Sequence, residues 1–350
     1  LEYQVFNAAT GSKNMTENVL QPTELPQTLM WAQYPDGRYG AVVQADGRAV
    51  YFAVQKLDQG HAADEPSRWV WVRNLRAAPL MFADSASSSD RLPMVPEGYC
   101  RDAAGGPPLD LESTRIWWFE QGLGAVLVEA DRVVALIPPQ PLADVPGYSA
   151  QCQRACAVAL PLDDDDLYER EAAGLRAYWQ RWSSGNPAEN WRDALKPVLE
   201  QGLGPCRQEL TTAAGRWPPL GILHLVGAQR QVLITVGVAL RCQPMVERDL
   251  LNYRDHQRFE LGLELPHDYP VDQVPAAADW LAGLARYPWF HETCFLPTHT
   301  VATTPPGSLE SAARGRVEIT SEVTRGPEIG RSPLVLPRLF DQPVNLWWLR

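Results

Sequence analysis

Three places in this chain carry residue types that could do chemistry. The first is His291-Glu292-Thr293-Cys294, which puts an imidazole and a thiol close together, the components of a cysteine nucleophile and its base. Residues two and three apart on an extended chain do not face each other, and no oxyanion donor is evident nearby, so the motif does not define a catalytic pair by itself. The second is Cys152 with Cys156, whose spacing would put both thiols on one face of a helix. They would be half of a metal site only if two more ligands came from far away. The plainer reading is a pair of buried cysteines on an amphipathic helix. The third is the run Asp163, Asp164, Asp165 and Asp166. It lacks the alternating ligands and downstream Glu of a calcium loop, and it stands where a helix begins, where acids suit the positive end of the dipole.

The remaining motifs are mostly exclusions. The six histidines, at 61, 224, 256, 267, 291 and 299, include no HExxH pair. There is no CxxC, no GxGxxG, no phosphate-binding loop with Lys-Ser/Thr and no GxSxG. The expectation is therefore no cofactor and no metal. An enzyme using His299 with Cys294 or a nearby carboxylate stays open as an alternative, as does a scaffold role in a larger complex.

The elements that must position these residues change character along the chain. Residues 1–14 read as an appended or flexible leader ahead of Met15. Residues 15–142 read as β-rich. "LMWAQY", "RYGAVVQ" and "RAVYFAV" are separated by Asp36-Gly37 and Asp46-Gly47, the turn pairs that join antiparallel strands. "RWVWVRNL" predicts a fourth strand; "RIWWFEQG", "GAVLVEA" and "RVVALIPP" predict a second set. Ala83–Pro108, rich in Ser, Asp, Gly and Pro, reads as a long surface loop. Residues 143–204 read as a helical connection packed on both halves. One helix is capped by Asp163; a second starts at Pro187 and ends at Gly202 or Gly204.

In residues 205–350, "LGILHLV", "QVLITVGVAL", "FELGLEL", "RVEITSEV" and "VNLWWL" predict strands, with a helix over "VDQVPAAADWLAGLARY". That order is not a βαβ alternation, so the expected class is α+β, with twisted mixed or antiparallel sheets carrying helices.

The chain has 350 residues, of which 13 are Trp, and a net charge of −11. That charge repels a phosphate backbone, which argues against nucleic acid and favours a basic protein partner. No apolar run is long enough to span a bilayer, and no basic-then-apolar signal opens the sequence. Together with scattered, unpaired cysteines this predicts a cytoplasmic protein with no membrane partner. Adjacent Trp residues on a strand point to opposite faces. One ring of Trp117-Trp118 and one of Trp347-Trp348 could therefore be exposed, and half-exposed Trp is typical of binding hot spots. Trp118, Trp347 and Asp163–Asp166 are the candidate partner contacts.

Five segments then narrow the reading. In order they are "LITVGVALRCQP" (Leu233–Pro244), "RFELGLELP" (Arg258–Pro266), "WLAGLARYPWF" (Trp280–Phe290), "FLPTHTVAT" (Phe295–Thr303) and "PVNLWWLR" (Pro343–Arg350). In this order and spacing they resemble the suppressor of fused family. The similarity covers Gly221–Arg350 and, more weakly, the helices before it. The β-rich half lies outside it. The resemblance implies an α+β domain around a twisted sheet that binds other proteins and is not an enzyme. Animal members sequester a transcription factor; bacterial relatives include immunity proteins that neutralise toxins. Without the long insert and second domain of the animal type, the chain looks like the bacterial form. Members often continue with a polar segment and a helix after the stretch matched by "VNLWWLR". His299 matches a recurrent His of the family, and its expected role is structural: a ring nitrogen bonding a neighbouring carbonyl.

Overall fold

Two Asp-Gly turns start the fold. In the computed structural model, which describes residues 26–58, 61–62, 68–82, 92–139, 146–162, 166–211, 217–303, 306, 316–320 and 334–349, they join β1 (Gln27–Gln33), β2 (Tyr39–Ala45) and β3 (Ala49–Asp58) into an antiparallel meander. Gly37 and Gly47 take φ of 80° and 75°, the left-handed conformation that such turns require. The short β4 (His61–Ala62) pairs with the end of β3, and β5 (Arg68–Asn74) pairs along the rest of it.

A second sheet contains β6 (Thr114–Trp118), β7 (Ala125–Glu129), β8 (Arg132–Ile137), β9 (Tyr148–Ser149) and β10 (Leu160–Pro161), ordered β10-β9-β8-β7-β6. Direct bonds tie it to the first sheet: Ser149 Oγ donates to Val72 O at 3.0 Å, and Trp71 N to Val158 O at 2.9 Å. Helix α1 (Asp166–Ser184) covers the far side. Ala172 and Leu175 enter a core with Phe119, Val126, Val128, Val133 and Leu136, and Trp179 Nε1 donates to Trp118 O at 2.7 Å.

The chain divides into two compact units at Ser184/Gly185. The boundary falls between the two helices of the 143–204 stretch. The second unit opens with α2 (Pro187–Leu203). Asn186 Oδ1 accepts from Glu189 N, Pro187 occupies the first turn, and Gly204 closes the far end with φ 111°. Trp191, Leu195, Leu199 and Leu203 recur every fourth residue and form its buried face.

Next come β11 (Cys206–Thr211), β12 (Gly221–Val226), β13 (Gln231–Val236), α3 (Val246–Asp249), β14 (Phe259–Leu265), α4 (Val274–Ala285), α5 (Tyr287–Phe290), β15 (Thr300–Ala302), β16 (Arg316–Thr320) and β17 (Asn345–Leu349). The strands form one seven-stranded sheet ordered β11-β12-β13-β14-β17-β16-β15, antiparallel except where β14 and β17 run parallel. The class is α+β. The edge strand β11 is not predicted by its sequence, CRQELT, which lacks any apolar alternation. Among the described residues no helix is long and apolar enough to cross a membrane.

One expectation is corrected. Cys152 and Cys156 do not share a helix. They lie in the turn between β9 and β10, where Cys152 bridges to Cys100 and Cys156 to Ala159. The long loop is anchored from Leu92 onward, residues 83–91 lying outside the described set. Buried Asp46 accepts from Leu92 N at 3.1 Å, and buried Asn74 both donates to Val95 O at 2.7 Å and accepts from Val95 N at 3.1 Å. Backbone groups in this segment find their partners across the sheet, so the composition that predicts a loop says nothing of its mobility.

Gly262, in the middle of β14, leaves room for the Trp348 ring. A Cβ built there would lie 2.6 Å from Trp348 Cε3 and 3.1 Å from Ile234 Cδ1. Gly262→Ala should destabilise the second unit by about 1–3 kcal/mol through overpacking. Urea unfolding followed by Trp fluorescence reads this as a lower midpoint; an unchanged midpoint would mean that the indole moves aside freely.

Candidate functional site

Of the chemistry-bearing residues in the second unit, Cys294, Asp249 and His299 do come together. Asp249 closes α3, Cys294 follows α5, and His299 sits in the turn before β15. Cys294 Sγ donates to Asp249 Oδ2 at 3.3 Å, and His299 Nδ1 lies 3.2 Å from Cys294 O. His291 does not join them; its ring packs against Tyr287, with centroids 4.1 Å apart.

The electrostatics run against a nucleophile. Burial pushes the Cys294 thiol up to about 12, and the Asp249 carboxylate adds to the shift, since a thiolate there would face an anion. Burial also raises Asp249. The hydrogen bonds from Arg248 and Cys294 and the charges of Arg248 and His299 outweigh that and hold it below its ordinary value. A cysteine nucleophile needs the imidazole on its sulfur. Here the ring nitrogen is on a backbone carbonyl, so the three groups latch α3, the 293–296 segment and the approach to β15 together.

The most strongly organised polar site in this unit is one that sequence reasoning does not find. Glu260, in β14, is fully buried, and five donors converge on its carboxylate. Oε1 accepts from Trp191 Nε1 at 2.8 Å, Gly237 N at 2.9 Å and Ala239 N at 3.2 Å. Oε2 accepts from Thr235 Oγ1 at 2.6 Å and Val238 N at 3.3 Å. Thr235 Oγ1 is aligned in turn by accepting from Leu261 N at 2.7 Å. The backbone can turn three amides onto one carboxylate because Gly237 has φ 117°; a Cβ there would lie 2.2 Å from Pro219 O. Burial pushes the Glu260 carboxyl up to about 7, and the bonds from Thr235, Gly237, Trp191 and Ala239 pull the other way.

The polar seam continues beyond Gly237. Buried Arg258 donates to Ala239 O at 2.8 Å and Gln342 Oε1 at 2.6 Å. Arg241 lies over the rings of Trp217 and Trp289, at 5.6 and 5.3 Å. Gln243 donates to His256 O and accepts from Phe295 N at 2.8 Å. The signal in the sequence was the acid inside the apolar strand FELGLEL, but its partners stand about 20 to 70 residues away in the chain, a separation that no local pattern encodes.

The candidate contacts fare differently. Trp118 is 5% exposed and Trp347 1%, so neither is a surface residue. Trp347 stacks on Phe259 with centroids 4.8 Å apart, and Trp118 meets Tyr34 edge to face at 5.4 Å. Paired Trp residues do face opposite ways, but each sheet is covered on both faces. Trp117, half-buried, packs against the α1 core, and Trp348 is 3% exposed. Asp163, Asp164 and Asp165 lie outside the described residues, and Asp166 opens α1. No cluster of three or more metal-ligating side chains occurs among the described residues. No family model, curated protein or solved structure matches the chain.

Glu260 has a pH signature. With its folded pKa near 7 against an ordinary 4.5, the folded state holds the proton more firmly, so its contribution is full below pH 4.5 and is lost as pH rises to about 7. The shift corresponds to about 3 kcal/mol. The stability difference between wild type and Glu260→Gln, from urea melts, should therefore shrink by about that amount between pH 4.5 and 7.5. A difference independent of pH would mean that the five donors cancel the cost of burial.

Proposed function

We propose that this chain is a non-enzymatic, protein-binding protein of the bacterial suppressor of fused-like type, acting in the cytoplasm as an immunity protein against a toxin. The observation that carries the reading is where the five family-like segments lie. Leu233–Pro244 and Arg258–Pro266 supply the neighbouring strands β13 and β14, and Pro343–Arg350 supplies β17, parallel to β14. Trp280–Phe290 supplies α5 and the second half of α4, whose residues join the same core as Leu233, Phe259 and Trp347; Phe295–Thr303 supplies Phe295, Val301 and the edge strand β15. The first two segments also carry the buried seam: Thr235, Gly237, Val238 and Ala239 stand on Glu260. A resemblance scattered over more than a hundred residues thus falls on one sheet and the layer packed against it.

The charge balance adds the kind of partner. A net charge of −11 suits a basic toxin, such as a nuclease whose phosphate cleft is positive. The Cys294 thiol is held protonated by burial and by Asp249, which supports binding over catalysis as the role of this unit.

The test is affinity capture by the full chain from the cytosol of the producing cell, with mass spectrometry of the bound fraction. One basic protein should be recovered in equal stoichiometry, its toxicity suppressed by an equimolar amount of the chain, and its binding weakened by salt. A folded bait that retains nothing and protects no cell would overturn the proposal.

A further inference from the structure

The first sheet ends in an open edge. Among the described residues the only strand paired with β1 is β2. Just beyond β1, Tyr34 N donates to Tyr39 O at 2.8 Å, which makes these two residues a bonded pair. Bonding alternates along an antiparallel ladder, so Ala32 and Met30 turn their backbone groups toward Ala41 and Val43. Trp31 and Gln33 therefore point their N–H and C=O groups away from β2. Among the described residues nothing donates to or accepts from those four groups.

This edge lacks the usual guards. Proteins blunt the ends of their sheets with short strands, charges and bulges. The other outer strands follow that rule. β4, β10 and β15 have two or three residues. β5 carries Arg68 and Arg73, β6 carries Arg115, and β11 carries Arg207 and Glu209. β1 has seven residues, QTLMWAQ, and no charge. Its one irregularity, a register shift between Thr28 and Met30, leaves Met30–Gln33 regular. The ring best placed to shield that stretch is folded back: Trp31 lies over Gly40 of β2, in the space a Cβ would need.

We propose that β1 is a self-association edge, through which two copies of this chain pair antiparallel about a twofold axis beside Ala32. Trp31 of each copy exchanges both backbone bonds with Gln33 of the other, and two sheets become one. Two features select a second copy over another protein. An antiparallel pair of identical strands is self-complementary, so the edge brings its own partner. The chain also has a net charge of −11, so copies repel each other and approach best where charge is absent. The first charges after β1, Asp36 and Arg38, neutralise each other at 3.0 Å.

Sedimentation velocity of the full chain from about 1 to about 100 μM should show monomer passing to dimer, the weak affinity of a short edge contact. Added salt should tighten the dimer by screening the repulsion. Over the same range, backbone hydrogen exchange in the peptide spanning Trp31 and Gln33 should slow by about tenfold, with β11 unchanged as the control. Gln33→Pro removes an N–H that points away from β2, so it spares the ladder within the sheet and should weaken the dimer by about tenfold or more. Gln33→Lys sets like charges across the axis and should weaken it without altering the backbone. Urea midpoints near that of wild type establish that each variant is folded. A chain that stays monomeric throughout, or a dimer that forms with no added protection in β1 or persists in both variants, sinks the idea.

Discussion

The second unit is organised around one buried carboxyl group. Removing a carboxylate from water costs several kcal/mol even in a relaxed protein, and only well-placed donors offset it. Glu260 therefore dictates positions far from itself. The turn after β13 must reverse at Gly237 so that amides 237, 238 and 239 point inward. Helix α2 must lie where Trp191 Nε1 reaches Oε1, and β13 must end where Thr235 can bridge to Leu261. Loss of any of these parts leaves the others facing an unpaired group, which is why such a network specifies a unique packing. The sheet order follows from the same demand: β14, which carries Glu260, lies between β13, which brings the donors, and β17, whose Trp347 stacks on Phe259.

Local signals reported local structure well. The Asp-Gly turns, the Asn186–Pro187 start of α2, its Gly204 end and the strands of both meanders are written in neighbouring residues, because turn chemistry and capping act over a few positions. What escaped was set at long range. Asp46 holds Leu92, Asn74 holds Val95, and Glu260 gathers residues of α2 and the 235–239 turn; none of these partners is near in sequence. β11 is an edge strand with half-exposed and exposed positions, so it carries no alternation to read. The cysteine spacing of Cys152 and Cys156 suited a helix, but Gln153–Ala155 offers no apolar face to bury, and the chain turns instead.

The tryptophans show why an aromatic pair is a weak pointer to an interface. Alternation along a strand is a statement about direction only. Whether the outward ring is exposed depends on a second layer, and in both units a helix supplies one: α1 over β6 to β8, and α2 over β12 and β13. The five segments behind the functional reading lie on one sheet and the layer packed against it. The first of them carries the seam from Thr235 to Gln243, where β13 runs into buried polar groups, and a seam of that kind constrains sequence more tightly than an apolar core does.

The thiols of this chain obey one rule that spacing motifs miss. Reactivity follows the groups facing the sulfur. Cys294 lies near an imidazole in sequence, yet its neighbour in space is the Asp249 carboxylate, and the thiol is held protonated. Cys100 and Cys152 face carbonyls. Cys156 is half-buried and lies in the turn between β9 and β10, its amide donating to Ala159 O. Burial and an anion beside the sulfur both penalise a thiolate, so closeness to a histidine in sequence is no guide to reactivity.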